Sequence, residues 1–484
     1  MTIRRLFSTL LLIALFAMGV RETLDPDMWW HLRTGEAILR AGIPRHDIFS
    51  FTVPHYAWVT HEWLSQLFMW DVYLLGGLPG LMVVFALLTA LIYGLVFASS
   101  PGRPYLTAFI TLLAAFASAI VWGARPQMFN LLLTSVFVFI VERLKDGKVP
   151  ARALWLLPFL TILWANLHSG YLLGIVLLAA YTAGEALQRW RGLPLSRTLP
   201  WPEIRLLALV TLLSFMLASI NPNGARLWIY PFETLGSPAM QAYIQEWQPP
   251  DFRAAPFWPF AAMLALGLGS WVYGQQRPTW SERLLFLGTA AAGLLSARHI
   301  PLFAIVAAPI ISRHLVHGLA GTQPGSWLMP PGPAERPARA MTALNLAILV
   351  LAAAGAGLWT AAKIAGNDAA IAQRYPVAAV DFLERAGLAE ARIYNSYNWG
   401  GYLIWRGIPV FVDGRADVYG DPFLFDYLQT FEVTDNWREP LQKYDVTHVL
   451  MEQDSPLTTL LAADKEWREL YVDDQAQIFA RVSQ

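Results

Sequence analysis

Asp25 and Asp27 flank Pro26, and His31 and Arg33 follow within the stretch DPDMWWHLR, residues 25–33. Carboxylates, an imidazole and a guanidinium this close together can take a proton from a hydroxyl and hold an anion while a bond breaks. The stretch comes just after an apolar run, LFSTLLLIALFAMGV. Asp25 suits an N-cap, Pro26 the first helical position, and Asp27 the positive helix start. A helix over about 26–41 is predicted, ending near Gly42. On it Asp27 and His31, four apart, share one face. Capping accounts for Asp25 and leaves Asp27 beside His31. A second helix, over about 60–77, is predicted from THEWLSQLFMWDVYLLGG. His61 and Glu62 then serve either its start or a site.

Further polar groups sit where apolar segments end. GARPQ (123–127) carries Arg125, ANLHSG (165–170) carries His168, and ARHIP (297–301) carries Arg298 and His299. All four are candidate phosphate partners; snorkelling or helix capping is the plainer role for each. NPNG (221–224) reads as a turn after a span. FVDGRADVYGD (411–421) places Asp413, Arg415, Asp417 and Asp421 after an expected strand. There a ligand-touching loop and a salt-bridged turn are equal alternatives. No phosphate-loop glycine spacing and no nucleotide-binding fingerprint occurs.

The elements that must position these residues are membrane spans. The chain has 484 residues, of which 56% are hydrophobic and 14% charged, against about 25% charged in soluble chains. Its 35 acidic and 35 basic residues cancel, which argues against a nucleic-acid partner. Cysteine is absent, excluding disulfides and thiolate chemistry. The 21 tryptophans suit the aromatic belts of a membrane protein. Given that a span needs about 20 apolar residues, about eleven are expected: 5–22, 79–98, 104–122, 127–144, 153–167, 169–187, 204–220, 257–274, 283–298, 300–317 and 341–362. The first also has the form of a signal peptide.

Basic residues set the orientation. Alternate loops hold Arg4 and Arg5; Arg103; Arg143, Lys145, Lys148 and Arg152; Arg189, Arg191, Arg197 and Arg205; Arg277 and Arg283; and Arg313, Arg336 and Arg339. The short opposite loops hold only Arg125 and Arg298. The positive-inside rule places the N-terminus in the cytoplasm, and eleven spans then place the C-terminus outside the cell (inner or plasma) membrane. The unusual polar stretches all fall on the outer side. Residues 320–340 read as a Pro/Gly-rich linker. After the last span, residues 367–484 read as an extracytoplasmic α/β domain. Strands are expected in ARIYNS, IPVFVDG, THVLME and AQIFARV, and helices in VAAVDFLERAG, EPLQKY and PLTTLLAADKEW. Residues 1–366 form the transmembrane domain, with the two juxtamembrane helices.

A first span, an acid just beyond it and two juxtamembrane helices resemble the GT-C superfamily of glycosyltransferases, which use sugars carried on polyprenyl phosphate. DMWWHLR is similar to the first-loop motif of archaeal oligosaccharyltransferase catalytic subunits. The match carries the catalytic acid onto Asp27, with His31 and Arg33 beside it. IQEWQPPDF (244–252) resembles their Glu-x-Gln-Pro loop and carries a functional acid onto Glu246. SYNWGGYLIW (396–405) loosely resembles their Trp-Trp-Asp-Tyr-Gly motif and singles out Tyr397, Asn398 and Trp399; Asn398 stands where an acid would be. With Asp413 and Arg415 these are the acceptor or lid candidates. The layout also resembles protein O-mannosyltransferases and lipid A aminoarabinose transferases. NPNG, EWQPPDF and DGRADVYGD together resemble bacterial membrane proteins grouped with this superfamily. The second acidic pair of the oligosaccharyltransferases is missing, and GARPQM takes its place.

The resemblance implies an inverting enzyme that moves a sugar from a polyprenyl-phosphate carrier to an extracytoplasmic lipid, glycan or protein. Asp27 would be the base, with Asp25 and Glu246 as the other catalytic candidates. A divalent cation, Mg²⁺ or Mn²⁺, would sit on Asp27 and Glu246 if anywhere. Two other functions fit the sequence: a transporter or flippase of lipid-linked glycan, and a non-catalytic protein of envelope glycan assembly.

Overall fold

The computed structural model describes residues 1–482 except 55, 103, 193–196, 275 and 329–338. Arg103 and residues 329–338 of the expected linker, Arg336 among them, lie outside the described residues. A helix stands at each expected apolar segment. In chain order these are α1 (Ile3–Gly19), α3 (Trp63–Ser99), α4 (Tyr105–Ser118), α5 (Gln127–Lys145), α6 (Leu156–Leu167), α7 (Tyr171–Trp190) and α8 (Trp201–Leu217), then Trp258–Tyr273, Trp280–Leu295, Ile300–Gly318 and Arg339–Arg374. The intervening helix, α2, is Pro26–Ala41. Among the described residues 6 helices are long and apolar enough to cross a membrane, the mark of an integral membrane protein.

Local chemistry sets α2. The Asp25 carboxylate accepts the Asp27 backbone N–H, Pro26 opens the helix, and Gly42 closes it with φ 86°, a value that favours glycine. The second juxtamembrane helix begins at Trp63, later than expected, because His61 and Glu62 enter as a turn. It joins the following span as one unit bent at Gly77, whose φ is 60°, just before Pro79.

The helix Ile300–Gly318 is the axis of the bundle. Every residue from Ile300 to His314 is buried, as expected of a helix apolar on all sides. Away from the polar loops of 25–27 and 125, paired charges tie the same helices together. Glu142 of α5 accepts from Arg197 at 2.8 Å and from Arg313, and Lys145 meets Glu185 of α7 at 2.5 Å. Arg339–Arg374, by contrast, buries only Asn345, Asn367 and Ile371.

That last helix runs unbroken past 366 to Arg374. Beyond it, β1 (Ile393–Asn395), β2 (His448–Glu452), β3 (Trp467–Val472) and β4 (Ala476–Arg481) form a sheet of order β1-β2-β4-β3, parallel only between β1 and β2. Helices Val377–Arg385 and Pro456–Ala463 stand where expected. IPVFVDG, expected as a strand, does not join the sheet. The Val410 N–H donates to Phe49 O (3.1 Å) and Val410 O accepts from Phe51 (3.2 Å). The first polar loop has taken its backbone groups. KEW was expected to end a helix; Trp467 instead opens β3, paired along β4. The acidic run that follows IPVFVDG opens a helix, Ala416–Phe431, bent at Gly420.

Candidate active site

The start of α2 faces a cavity of about 940 Å³, closed by the Arg125 and His168 loops, the 230–247 segment, Arg298–His299 and residues 396–417. Asp27 is aimed by its own helix. Its Oδ1 accepts the indole N–H of Trp30 at 3.0 Å. Gly414 lies so close that a Cβ there would collide with Asp27 Oδ1, and a Cβ on Gly401 would collide with Pro26 O. The sheet-bearing unit can therefore press on α2 only with glycine at these two places.

Three carboxylates converge on Arg125. Its Nε lies 3.4 Å from Asp25 Oδ2, its Nη1 3.9 Å from Asp27 Oδ2, and its Nη2 2.7 Å from Glu246 Oε1. One guanidinium cannot offset three negative charges in a partly enclosed space. Burial, and then the charge of Asp25, push the Asp27 carboxyl up to about 7. Burial also raises Asp25. For Glu246 burial acts upward too, but Arg125 outweighs it and holds the group below the usual carboxylate range. The same acids overcome burial at Arg125 and hold its charge firmly.

A second cluster surrounds Glu62. The Nε2 atoms of His168, His61 and His31 lie 3.4, 3.5 and 3.8 Å from its oxygens. Burial drives His31 down to about 3 and His168 to about 4. Burial also opposes protonation of His61, but Glu62 prevails and raises it. Burial would raise Glu62, yet the imidazoles, His61 foremost, hold it low. The Gly170 N–H donates to His168 Nδ1 at 2.8 Å, so the proton of a neutral His168 sits on Nε2, facing Glu62.

The Arg298 guanidinium stacks over Trp247, 4.5 Å from the ring centroid. Among the described residues no carboxylate reaches it within ion-pair distance. The buried Nδ1 of His299 also lacks a partner. The EWQ turn carrying Glu246 and Trp247 is pinned to this loop, with Ser296 Oγ donating to Glu246 O (3.1 Å) and the Ala297 N–H to Gln248 O (2.9 Å).

Asp25, Asp27, His31, His61, Glu62, Arg125, His168, Glu246, Arg298 and His299 thus share one cavity, lined also by Tyr397, Asn398 and Arg415. Arg33 stays outside, paired with Glu36 and lying over Trp405 at 6.0 Å. Trp399 lines an adjoining cavity of about 220 Å³ with Asn398 and Arg374. Asp413 is sealed beneath Arg415, which also reaches Asp47 at 2.6 Å. Sequence reasoning passed over Tyr230, Trp247, Arg374 and Glu452, which line the same space. Trp247 stood within the IQEWQPPDF stretch and Asp417 within its acidic run; the Asp417 carboxylate accepts from Tyr230 at 2.8 Å.

A divalent ion on Asp27 and Glu246 does not fit these residues. Arg125 fills the space between them, and among the described residues no group of three His, Cys, Asp or Glu is arranged to hold a metal.

No protein-family model and no curated protein matches the sequence. Solved structures do match. The archaeal oligosaccharyltransferase AglB from Archaeoglobus fulgidus, with an inhibitory peptide and a dolichol-phosphate, aligns with a TM-score of 0.53 at 12% identity, over 93% of this chain and 69% of that one. The apo form of that oligosaccharyltransferase aligns at 0.51 and 12%, over 99% and 74%. ArnT from Cupriavidus metallidurans, bound to undecaprenyl phosphate, aligns at 0.51 and 14%, over 99% and 98%. Over nearly its whole length this chain shares the fold of these GT-C glycosyltransferases.

Proposed function

We propose that this protein is an inverting glycosyltransferase that takes a sugar from a polyprenyl-phosphate carrier and attaches it to an acceptor hydroxyl on the extracytoplasmic side. The observation that carries the reading is one cavity holding both a raised, aimed carboxylate and an unpaired guanidinium: Asp27 and Arg298. A carboxyl near 7 is matched to proton transfer at neutral pH. An unpaired guanidinium beside an unpaired imidazole matches a phosphate.

The acceptor hydroxyl gives its proton to Asp27 as its oxygen attacks the anomeric carbon. The bond from that carbon to the phosphate oxygen breaks on the opposite face, and the electron pair leaves with the phosphate. Charge builds on the departing oxygen, where Arg298 and His299 would stabilise it. No general acid is needed, because a phosphate is already a good leaving group. The transition state resembles an oxocarbenium ion, which the carboxylates around Arg125 favour. Arg33 takes no part. The inside N-terminus and outside C-terminal domain of the basic-residue pattern would set the cavity at the outer membrane boundary, within reach of the carrier.

Radiolabelled lipid-linked sugars offered one at a time to the purified protein, together with a mixed lipid and glycan extract of the cell envelope as acceptor, test the reading. One donor should be consumed, with polyprenyl phosphate released in equal amount. A folded protein that consumes none of a broad panel would overturn it.

A further inference from the structure

Arg125 precedes α5 in the GARPQ loop, and each of its three nitrogens faces a different acid. Nε faces Asp25, Nη1 faces Asp27 and Nη2 donates to Glu246. The loop passes close to the start of α2, where a Cβ on Gly123 would lie only 2.9 Å from Asp25 Oδ2. Buried charges are paired with an opposite charge or coordinate a metal. Here the space among the acids is filled by a side chain from a third segment. A Mg²⁺ or Mn²⁺ ion would need oxygens at about 2.0–2.2 Å, and would have to displace a guanidinium that repels it, donates to Glu246 and lies within ion-pair distance of both aspartates.

We propose that the Arg125 guanidinium is the resident cation of this cavity, standing between Asp25, Asp27 and Glu246 where a divalent ion would otherwise be drawn, so that the protein needs and binds no metal there. The inference concerns the ion content of the cavity and is tested by binding, so it stands apart from the reaction proposed above. It also assigns Arg125 a positioning duty. The guanidinium spaces the acids and keeps Glu246 ionised, leaving Asp27, the most distant of the three, available to an incoming hydroxyl.

Mn²⁺ binding to the purified full chain, followed by electron paramagnetic resonance, decides the matter. The unaltered protein should leave the signal of free Mn²⁺ unchanged. Arg125→Ala should take up one Mn²⁺ at least about tenfold more tightly, because the acids then lack a counter-charge and can supply the oxygen ligands. Adding Asp27→Asn to that variant should weaken the uptake, and Arg125→Lys, which keeps the charge, should resemble the unaltered protein. Two results would overturn the proposal: one Mn²⁺ bound by the unaltered protein and lost with Asp27→Asn, or no uptake by Arg125→Ala. If Arg125→Ala does not fold, the unaltered protein and Asp27→Asn still decide.

Discussion

The Trp30 indole donates to Asp27 Oδ1 from one turn further along α2, over 3.0 Å, and this leaves Oδ2 facing Arg125 and the cavity. The carboxylate is held by its own helix, by the glycine at 414 and by nothing that would spoil it as a base. Asp27→Asn should keep the geometry and lower sugar transfer by about 10²–10⁴-fold, the usual weight of a general base, with the melting temperature near normal. Asp25→Asn should do far less, because Asn caps a helix as well as Asp does. A larger loss with Asp25→Asn would show that the other carboxylate is the base.

Transfer should rise with pH through about 7 as Asp27 loses its proton. Stability runs the other way. The group is protonated in the folded state up to about 7 and in the unfolded state only up to about 4. Between those values the folded state holds the extra proton, so Asp27's contribution to stability falls as pH rises. Thermal melts from pH 4 to 8 should show a shallower decline for Asp27→Asn. An unchanged slope would show that Asp27 titrates normally.

Arg298 lies over Trp247 without a carboxylate partner. If it binds the donor phosphate, Arg298→Ala should weaken polyprenyl phosphate binding by roughly 10–100-fold, the range for a charged hydrogen bond. Arg298→Lys should recover part of the loss. Equal affinity in all three proteins would remove Arg298 from the phosphate site.

Asp413 and Asp47 both depend on Arg415, which is 2% exposed and lies 4.7 Å from the Trp58 ring centroid. Removing one partner of a buried pair typically costs about 3–5 kcal/mol. Arg415→Met should therefore lower the melting temperature and expose residues 396–484 to limited proteolysis. A protease pattern like that of the unaltered protein would show that other contacts hold this unit.

The legible part of the molecule was the local part. Hydropathy located every long apolar helix, and the cap residues located α2, because both signals lie within a few neighbouring residues. Arg125, His168 and Arg298 were legible as polar groups at segment ends and Glu246 through the resemblance of its loop, and they do share a cavity. Long-range competition for backbone groups was not legible. IPVFVDG has the composition of a sheet strand, yet its partner is Phe49–Phe51 in the first loop. Nor was the crowd of imidazoles at Glu62, since His31, His61 and His168 come from three separate segments. Tyr230, Arg374 and Glu452 gave no sign because a single polar residue in an ordinary stretch has no spacing to read.

The most direct measurement places the purified protein in liposomes with a radiolabelled polyprenyl-phosphate sugar and an envelope lipid and glycan extract as acceptor, and follows the label beside the lipid product. Label should leave the lipid as polyprenyl phosphate appears in equal amount, and both should slow by about 10²–10⁴-fold with Asp27→Asn. Label that crosses the bilayer still attached to its carrier, at the same rate with Asp27→Asn, would contradict the transferase reading and mark the protein as a carrier of lipid-linked sugar.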